Sequence, residues 1–247
     1  MDYIELQCEA LSHSYLGVIA LRSLNLSIRG PTCVALIGAN GAGKSTFLRG
    51  LVGAQRMSSG LMLLNGQEIY PECKQRAHIG YLSEQTPLPP TLTVNEVLKG
   101  ATILHKTPRL ARQSAIKWCL TKCHLKDLQW RKCETLSRGQ RQRVGLATAI
   151  IHRPNLLILD EVHSGLDPLQ TQEMNQVLSE LAQHCLVILS THRLAAAEQI
   201  ADHFWVLHEG RLIRSVTKQA WQDTDPKDNS WSLESAYHDL INSCNLQ

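Results

Sequence analysis

Short apolar runs recur along the chain, and most of them end at a glycine or a polar residue. Three runs, at residues 33–37, 156–159 and 185–189, are apolar throughout, which is typical of strands covered on both faces of a parallel sheet. Residues 4–8 and 24–28 instead alternate apolar and polar side chains, which predicts antiparallel strands. The pattern therefore predicts an α/β protein with an antiparallel part near its start.

Residues 93–135 carry apolar side chains at helical spacing, and no strand pattern interrupts them. Thr93 followed by Glu96 fits a capping box, which predicts that the first helix begins there. A second helix is predicted from about 110 to 125. We therefore expect an all-helical insertion in the α/β domain.

The last part of the chain has weaker patterns. Residues 204–213 predict a terminal hairpin, residues 217–230 are polar and predict an irregular segment, and residues 231–242 predict one short helix. The tail after the hairpin carries no residues of evident chemistry.

The turn after residues 33–37 fits the pattern G-x-x-x-x-G-K-[ST] without a mismatch. Its residues are Gly38, Ala39, Asn40, Gly41, Ala42, Gly43, Lys44, Ser45 and Thr46. Glycines let backbone N–H groups close around a phosphate, and the N-terminus of the following helix adds partial positive charge. In such a P-loop Lys44 reaches the β- and γ-phosphates of a nucleotide, and Ser45 ligates Mg²⁺. The alternative, a glycine-rich turn beside a lysine, is disfavoured by the complete match.

Two acidic residues, Asp160 and Glu161, follow the apolar run at 156–159. Ligands of α/β sheets bind at the carboxyl ends of the strands, so both acids are expected at a binding edge. Asp160 suits Mg²⁺, directly or through water, and Glu161 suits a water aimed at a γ-phosphate. Two solvated loop acids are the alternative, but the buried run before them argues against it.

A second helix N-terminus that can receive an anion is predicted at residues 136–143. Ser137 is placed as the N-cap of the helix that follows, and Gly139 leaves the backbone accessible. Two phosphate-binding helix ends in one chain suggest a nucleotide held from two sides.

Three further residues have both a functional and a structural interpretation. Tyr15 could stack on adenine, or it could be a half-buried tyrosine at a strand end. Gln85 follows a strand predicted at 79–82, and it could touch Mg²⁺ or the attacking water, or simply face solvent. His192 follows the run at 185–189, and it could donate to a γ-phosphate oxygen or serve a structural role.

Charge is distributed unevenly along the chain. The 247 residues carry a net charge of only +3, which gives no reason to expect a nucleic-acid partner. Between Lys99 and Arg143, however, twelve Lys and Arg residues stand against two acids. This basic region could face an anionic membrane leaflet, or it could be a solvated face balanced by acids elsewhere.

The eight cysteines include no C-x-x-C pair, and the chain start does not read as a signal peptide, so we expect free thiols in a reducing cytosol. Cys119, Cys123, His124 and Cys133 could be imagined as a metal site. Cys119 and Cys123 share a helical stripe with Ile116, however, which favours a place in the core. No apolar run approaches the roughly 18–20 residues of a membrane-spanning helix.

Taken in order, these motifs are typical of one family. The chain resembles the nucleotide-binding subunit of an ABC transporter over about residues 2–215. Tyr15 takes the place of the adenine-stacking aromatic residue, residues 38–46 that of the Walker A motif, and Gln85 that of the Q-loop. The LSGGQ signature is matched by Leu136-Ser137-Arg138-Gly139-Gln140, and the Walker B motif is matched by Leu156 to Asp160, followed by Glu161. The D-loop corresponds to Ser164 to Asp167, and the switch histidine corresponds to His192.

The resemblance implies a P-loop NTPase fold with a RecA-like core, an N-terminal antiparallel β-subdomain and an inserted α-helical subdomain. The ATPase domain would span residues 1–215, with the helical subdomain at about 90–140. Residues 216–247 would form a short C-terminal extension.

The resemblance also implies that the protein binds and hydrolyses ATP with Mg²⁺. Two copies, as a homodimer or a heterodimer with another ABC ATPase, would sandwich two ATP molecules between the Walker A motif of one copy and the signature of the other. Catalysis would fall to Glu161, His192, Gln85 and Lys44, and metal binding to Ser45, Gln85 and Asp160. Nucleotide contacts would come from Tyr15, residues 38–46, Ser137, Gly139, Gln140 and Asp167.

The chain departs from the family pattern at two sites. Arg138 replaces the second glycine of the signature, and Val162-His163 stands where most relatives have Pro-Thr. Neither removes a catalytic group, although His163 could alter the rate.

The residues around the signature are similar to those of bacterial exporter-type ATPases whose membrane subunit is a separate chain. We therefore expect a subunit that drives a membrane permease in export, peripheral on the inner face of the cytoplasmic membrane. A single-cassette ABC ATPase of a soluble assembly or regulatory system is the alternative.

Overall fold

The structure, a computed structural model, describes residues 4–70, 77–223 and 231–244. Their strands form two sheets, one of four strands and one of six. The smaller sheet packs on one face of the larger sheet, and most of the helices pack on the other face. The larger sheet is therefore the middle layer, buried on both sides.

The smaller sheet is antiparallel throughout and has the order β2-β1-β4-β5. Its strands are β1 (Ile4–Tyr15), β2 (Val18–Gly30), β4 (Ser59–Leu64) and β5 (Gln67–Glu68). β1 and β2 extend the two predicted strands into one long hairpin whose turn directly follows Tyr15. The predicted antiparallel N-terminal part is therefore confirmed.

The larger sheet has the order β10-β9-β3-β8-β7-β6 and is parallel except where β10 pairs with β9. Its strands are β3 (Thr32–Ile37), β6 (Ile79–Leu82), β7 (Leu156–Leu159), β8 (Leu186–Ser190), β9 (His203–His208) and β10 (Arg211–Thr217). The three fully apolar runs form β3, β8 and β7, which lie side by side inside the sheet. The prediction that these strands are covered on both faces is confirmed.

Successive side chains of the inner strands point to two different cores. Val34 and Leu36 of β3 face the smaller sheet, while Ala35 and Ile37 face the helical layer. The helix that follows the P-loop, α1 (Lys44–Leu51), packs its apolar residues between the two sheets. The P-loop is therefore anchored at both ends by buried elements.

The other helices described lie mainly against the opposite face of the larger sheet. They are α2 (Val94–Leu104), α3 (Arg112–Lys122), α4 (Arg138–Ile150), α5 (Pro168–Ala182), α6 (Leu194–Ile200), α7 (Lys218–Asp223) and α8 (Leu233–Cys244), with 3₁₀ turns at Arg109–Ala111, Lys126–Leu128 and Cys133–Thr135. Among the described helices, none has the length and apolar character needed to cross a bilayer.

The predicted start of α2 is confirmed by its cap. The Thr93 hydroxyl accepts a hydrogen bond from the backbone N–H of Glu96, and the Glu96 carboxylate accepts one from the backbone N–H of Thr93 at 2.8 Å. The second predicted helix, α3, begins at Arg112 because the residues before it form a 3₁₀ turn. The region expected to be all-helical thus consists of short helices and turns.

Cys119 and Cys123 lie on the buried side of α3 and its C-terminal end, as their helical spacing predicts. The Cys119 thiol donates to the carbonyl oxygen of Ala147, and burial raises the pKa of the Cys123 thiol to about 12. The described residues contain no group of three side chains placed to hold a metal ion. These cysteines therefore pack in the core as neutral thiols; Cys73 lies outside the described residues.

One prediction for the last part of the chain is wrong. Residues 218–223, which were expected to be irregular, form α7, and its Trp221 is only 3% exposed. The Trp221 ring packs edge-on against Phe204 and Trp231. One buried tryptophan supplies enough apolar contact to hold a short helix on the core, although the sequence around it is polar. Residues 224–230 of the same segment lie outside the described residues, and the short helix predicted next is confirmed as α8.

We expect the close packing of β6 on α4 to be sensitive to a single methyl group. A Cβ added at Gly80 would lie 2.3 Å from the backbone oxygen of Ala149, so Gly80→Ala should destabilise the fold by about 1–3 kcal/mol. A Cβ at Gly100 in α2 meets no atom within 4 Å, and Gly100→Ala should stabilise by up to about 1 kcal/mol. Urea unfolding followed by circular dichroism checks both values, and equal midpoints for the two variants would contradict this packing.

Candidate nucleotide-binding site

The candidate site lies where three neighbouring strands of the larger sheet end. β3 leads into the P-loop at Gly38, β7 leads into Asp160, and β8 leads toward His192. Because β8 lies between β3 and β7, the three strand ends form one continuous edge. This is the edge at which parallel α/β sheets bind their ligands.

The P-loop turns sharply at Gly43, which precedes α1. Its φ of 103° lies in the left-handed region, and an added Cβ would be 2.5 Å from the backbone oxygen of Ala20 in β2. Both the conformation and the close approach of β2 therefore require glycine at this position. Residues 43–46, at the start of α1, line a cavity, and the N–H groups of a helix N-terminus attract anions.

The Lys44 ammonium is 6% exposed and folds back onto the P-loop. It donates to the backbone oxygens of Gly38 at 2.7 Å and Ala39 at 3.2 Å, and it lies 4.0 Å from a carboxylate oxygen of Glu161. Burial lowers the pKa of Lys44, and the carboxylates of Glu161 and Asp160 oppose that shift. A buried cation held by neutral carbonyls is well suited to attract a phosphate group into the loop.

Asp160 is 3% exposed and connects the ends of β7 and β8 to the start of α1. One of its carboxylate oxygens accepts from the Ser190 hydroxyl at 2.6 Å and from the Ser45 hydroxyl at 3.3 Å. The Ser190 hydroxyl in turn accepts from the backbone N–H of Glu161 at 2.9 Å. The hydroxyl of Ser45 and the carboxylate of Asp160 are oxygen ligands of the kind that Mg²⁺ prefers.

Sequence reasoning missed Ser190. The signal was present, because Ser190 is the first polar residue after four apolar residues of β8. A hydroxyl that ends a buried strand beside a carboxylate needs a hydrogen-bond partner, and Asp160 provides it. The neighbour itself could be identified only once β8 was placed between β3 and β7.

Glu161 and His192 are in direct contact. The Nδ1 atom of His192 lies 2.7 Å from a Glu161 carboxylate oxygen, which also accepts from the His192 backbone N–H at 3.3 Å. Glu161 has a φ of 50°, an uncommon conformation for a residue with a side chain. Such local strain is concentrated at functional sites, where the surrounding structure maintains it.

A cavity of about 470 Å³ lies between these groups. It is lined by residues 40, 41 and 43–46 of the P-loop and by Glu161 and His192, and Tyr15 also lies on its wall. The Tyr15 ring is 39% exposed and packs edge-on against His13, which leaves area for a stacked base. Ser164, the first residue of the predicted D-loop, and Glu84, which the sequence did not single out, add to the polar lining.

Several predicted site residues lie outside this cavity. Gln85 is exposed and does not line it, although its neighbour Glu84 does. Asp167 is the N-cap of α5, where its carboxylate accepts from the backbone N–H of Gln170. Ser137, Gly139 and Gln140 are likewise absent from the lining. Gly38, Ala39, Ala42 and Asp160 are also absent from the lining. The roles suggested for all of the site residues stay predictions.

The second predicted anion-binding helix end is formed by α4. Ser137 is its N-cap and closes a capping box with Gln140, as expected from the sequence. Arg138, which departs from the family pattern, donates to the Ser164 hydroxyl at 2.9 Å and lies over Gly165. A Cβ at Gly165 would be 2.5 Å from Arg138, so the glycine makes room for the larger side chain. Ser137 and Arg138 are exposed at this helix end, whereas Gly139 is buried beside Gln170, so the expectation that Gly139 leaves the backbone accessible is wrong within one chain.

The sequence is similar to those of known transport ATPases. The family model described as ABC transporter matches residues 21–164. Over 207 residues the chain is 35% identical to the ABC transporter ATP-binding protein YxlF of Bacillus subtilis (strain 168), covering 84% of this chain and 69% of that protein. It is 32% identical over 209 residues to the lantibiotic transport ATP-binding protein SrtF of Streptococcus pyogenes, covering 84% and 89%. It is 34% identical over 201 residues to the methionine import ATP-binding protein MetN of Corynebacterium jeikeium (strain K411), covering 78% and 55%.

The fold is also similar to that of a solved family member. A structure described as an ATP-binding subunit of an ABC transporter matches with a TM-score of 0.84 and 28% identity, covering 96% of this chain and 99% of that one. The resemblance noted in the sequence is confirmed, as is the P-loop NTPase fold. The chain belongs to the ABC transporter family and is an ATP-binding subunit of that family, an ABC-type ATPase.

Proposed function

We propose that this chain binds ATP with Mg²⁺ in the cavity between the P-loop, Asp160, Glu161 and His192, and hydrolyses it there. The observation that carries this proposal is the convergence of the Lys44 ammonium, the Ser45–Asp160 oxygen pair and the Glu161–His192 contact at one edge of the sheet. Phosphoryl transfer is catalysed mainly by positioning and charge stabilisation, which these groups supply.

Each side chain would have a separate role. Lys44 would neutralise charge on the β- and γ-phosphates, while Ser45 and Asp160 would hold Mg²⁺. Glu161 would orient the attacking water and accept its proton, and His192 would stabilise charge on the transferred group. Tyr15 would stack on the base. Gln85 would enter the site only after the loop that carries it moves toward the cavity.

The site within one chain is incomplete, which supports a dimer around two nucleotides. In the described residues the α4 N-terminus with Ser137 and Gly139 does not reach the cavity that the P-loop lines. A γ-phosphate in this cavity would face water on one side, and the α4 N-terminus of a second chain could complete its shell. Homodimers and heterodimers with another ABC ATPase satisfy this requirement equally well.

The work done by ATP would be passed to a separate membrane permease, in the direction of export. The direction rests on the similarity of the signature region to exporter-type ATPases, since the relatives include an import protein as well as a lantibiotic transport protein. Affinity capture of the tagged chain from gently solubilised native membranes tests this proposal. Co-purification of a polytopic membrane protein in about equal amount would support it, and recovery of soluble assembly factors alone would favour a soluble ABC ATPase.

We place the protein on the inner face of the cytoplasmic membrane, with the basic region against lipid headgroups. Leu104 and Leu110 are 83% and 99% exposed and lie beside exposed Lys106 and Arg109. Apolar side chains flanked by cations favour an anionic bilayer surface, where each nearby cation adds about 1 kcal/mol.

Binding to vesicles tests this orientation. Lys106→Gln with Arg109→Gln should weaken binding to anionic vesicles by about fivefold for each charge removed, because each loses about 1 kcal/mol of attraction. The matched pair Arg29→Gln with Arg211→Gln, on the two sheets, should have little effect. Vesicle sedimentation at low and high salt measures the binding of both double variants. If binding depends neither on salt nor on Lys106 and Arg109, the proposed contact with lipid headgroups is wrong.

A further inference from the structure

His163 is a completely buried histidine two residues after Glu161. Its Nε2 atom lies 2.7 Å from the side-chain oxygen of Asn175 in α5, and its Nδ1 atom lies 3.4 Å from the hydroxyl of Thr191. Thr191 directly precedes His192. The imidazole, which belongs to the turn after β7, therefore touches two other segments, the middle of α5 and the end of β8.

The direction of these hydrogen bonds follows from the partners' other contacts. The Asn175 amide nitrogen donates to the backbone oxygen of Ala196 at 3.1 Å and to the side chain of Gln199 at 3.0 Å, so its oxygen is the acceptor that faces the ring. His163 therefore carries its proton on Nε2. The Thr191 hydroxyl accepts from the backbone N–H of Arg193, which leaves its own proton for Nδ1.

The surroundings keep this ring neutral. Burial lowers the pKa of His163. The charge of Arg193 and the neighbouring His192 act in the same direction, whereas the Asn175 hydrogen bond and Glu161 oppose the shift. The Arg193 guanidinium also donates to the His163 and Leu166 backbone oxygens and to Thr171, which holds the same turn from the other side. Both ring nitrogens are thus paired in a single tautomer.

We propose that His163 is a positioning residue for hydrolysis, which fixes the turn that carries Glu161 against the strand end that carries His192. The ring lines no part of the nucleotide cavity, so it acts through its neighbours. The 2.7 Å contact between Glu161 and His192 depends on the relative placement of exactly these two segments. The inference rests on the roles proposed above for Glu161 and His192.

Two substitutions at Thr191 separate hydrogen bonding from packing. Thr191→Val keeps the shape of the side chain and removes the hydroxyl, while Thr191→Ser keeps the hydroxyl and removes a methyl group. We expect Thr191→Val to lower kcat about ten- to a hundredfold with the affinity for ATP unchanged, because misplaced catalytic groups slow chemistry more than binding. Thr191→Ser should restore most of the rate. If Thr191 acted through packing alone, Thr191→Ser would lower kcat more than Thr191→Val does.

A double-mutant cycle isolates the link between the two residues. His163→Gln can still donate to Asn175 but offers no acceptor where Nδ1 was, so it should lower kcat as Thr191→Val does. If the two act through one hydrogen bond, the double variant should lose little more rate than either single variant. Fully multiplicative losses would contradict the proposal. Should His163→Gln fail to fold, the Thr191 pair still decides the question.

His152→Gln is the matched control, since His152 is a partly buried histidine that lines no part of the cavity. It can change the melting temperature but should leave kcat unchanged. Glu161→Gln, measured in the same assay, separates the two levels of the argument. If Glu161→Gln hydrolyses ATP at the normal rate, both the proposed site and this inference are overturned. If Glu161→Gln loses ATP hydrolysis while His163→Gln and Thr191→Val keep the normal rate, only the inference is overturned.

Discussion

Glu161→Gln should bind ATP about as well as the wild-type chain and hydrolyse it about 10²–10⁴ times more slowly. The amide keeps the size of the side chain and can still accept from the backbone N–H of His192, so the geometry of the turn is preserved. It has no charge with which to polarise the attacking water or accept its proton. Asp160, which we propose as a Mg²⁺ ligand, keeps its hydrogen bonds to Ser45 and Ser190, and Lys44 loses only the 4.0 Å ionic contact with Glu161.

A second expected consequence is that Glu161→Gln accumulates as a dimer when ATP and Mg²⁺ are present. If nucleotide is part of the interface, a chain that binds but does not hydrolyse cannot reopen. Size-exclusion chromatography with and without ATP, together with phosphate release and nucleotide titration, measures all three properties. The exposed Glu9→Gln on the smaller sheet is the control and should behave as wild type. Wild-type turnover in Glu161→Gln would contradict the role given to this carboxylate.

The sequence predicted the part of the site that depends on local order along the chain. The P-loop and the acids after β7 follow buried strands, and strand, turn and helix in succession fix their geometry without any distant contact. The caps at Thr93 and Ser137 are local in the same sense, because each involves residues three positions apart. Such features are encoded by spacing alone.

The rest of the site depends on which elements become neighbours in space. Ser190 could be connected to Asp160 only after β8 was known to lie beside β7. The same is true of His163, whose two ring contacts, with Asn175 and Thr191, come from elements far apart in the sequence. The α7 helix was missed for a related reason, since one tryptophan in a polar stretch gives no periodic pattern. These features are determined by tertiary packing, which a local sequence pattern does not reveal.

Two inactive variants should restore activity to each other when mixed, if each ATP is shared between two chains. Lys44→Met removes the cation from the P-loop, and Ser137→Asp places a carboxylate where the signature would approach the γ-phosphate. Aspartate is also a good N-cap, so α4 should keep its capped first turn and the variant should fold. Homodimers of either variant have two damaged sites and should lose at least about tenfold in ATP hydrolysis.

In a mixed dimer one site combines the damaged P-loop with the damaged signature, and the other combines the two intact halves. Random mixing makes about half of the dimers mixed, each with one intact site, so about a quarter of the wild-type rate should return. Purification of mixed dimers through two different tags should raise that value toward a half, because the inactive homodimers are then removed. The structure makes this test specific, since the Ser137 end of α4 lies outside the P-loop cavity of its own chain. Recovery of activity therefore requires that a second chain supply that helix end. Full activity of Ser137→Asp alone, or a mixture that stays inactive, would show that each chain works with its own residues only.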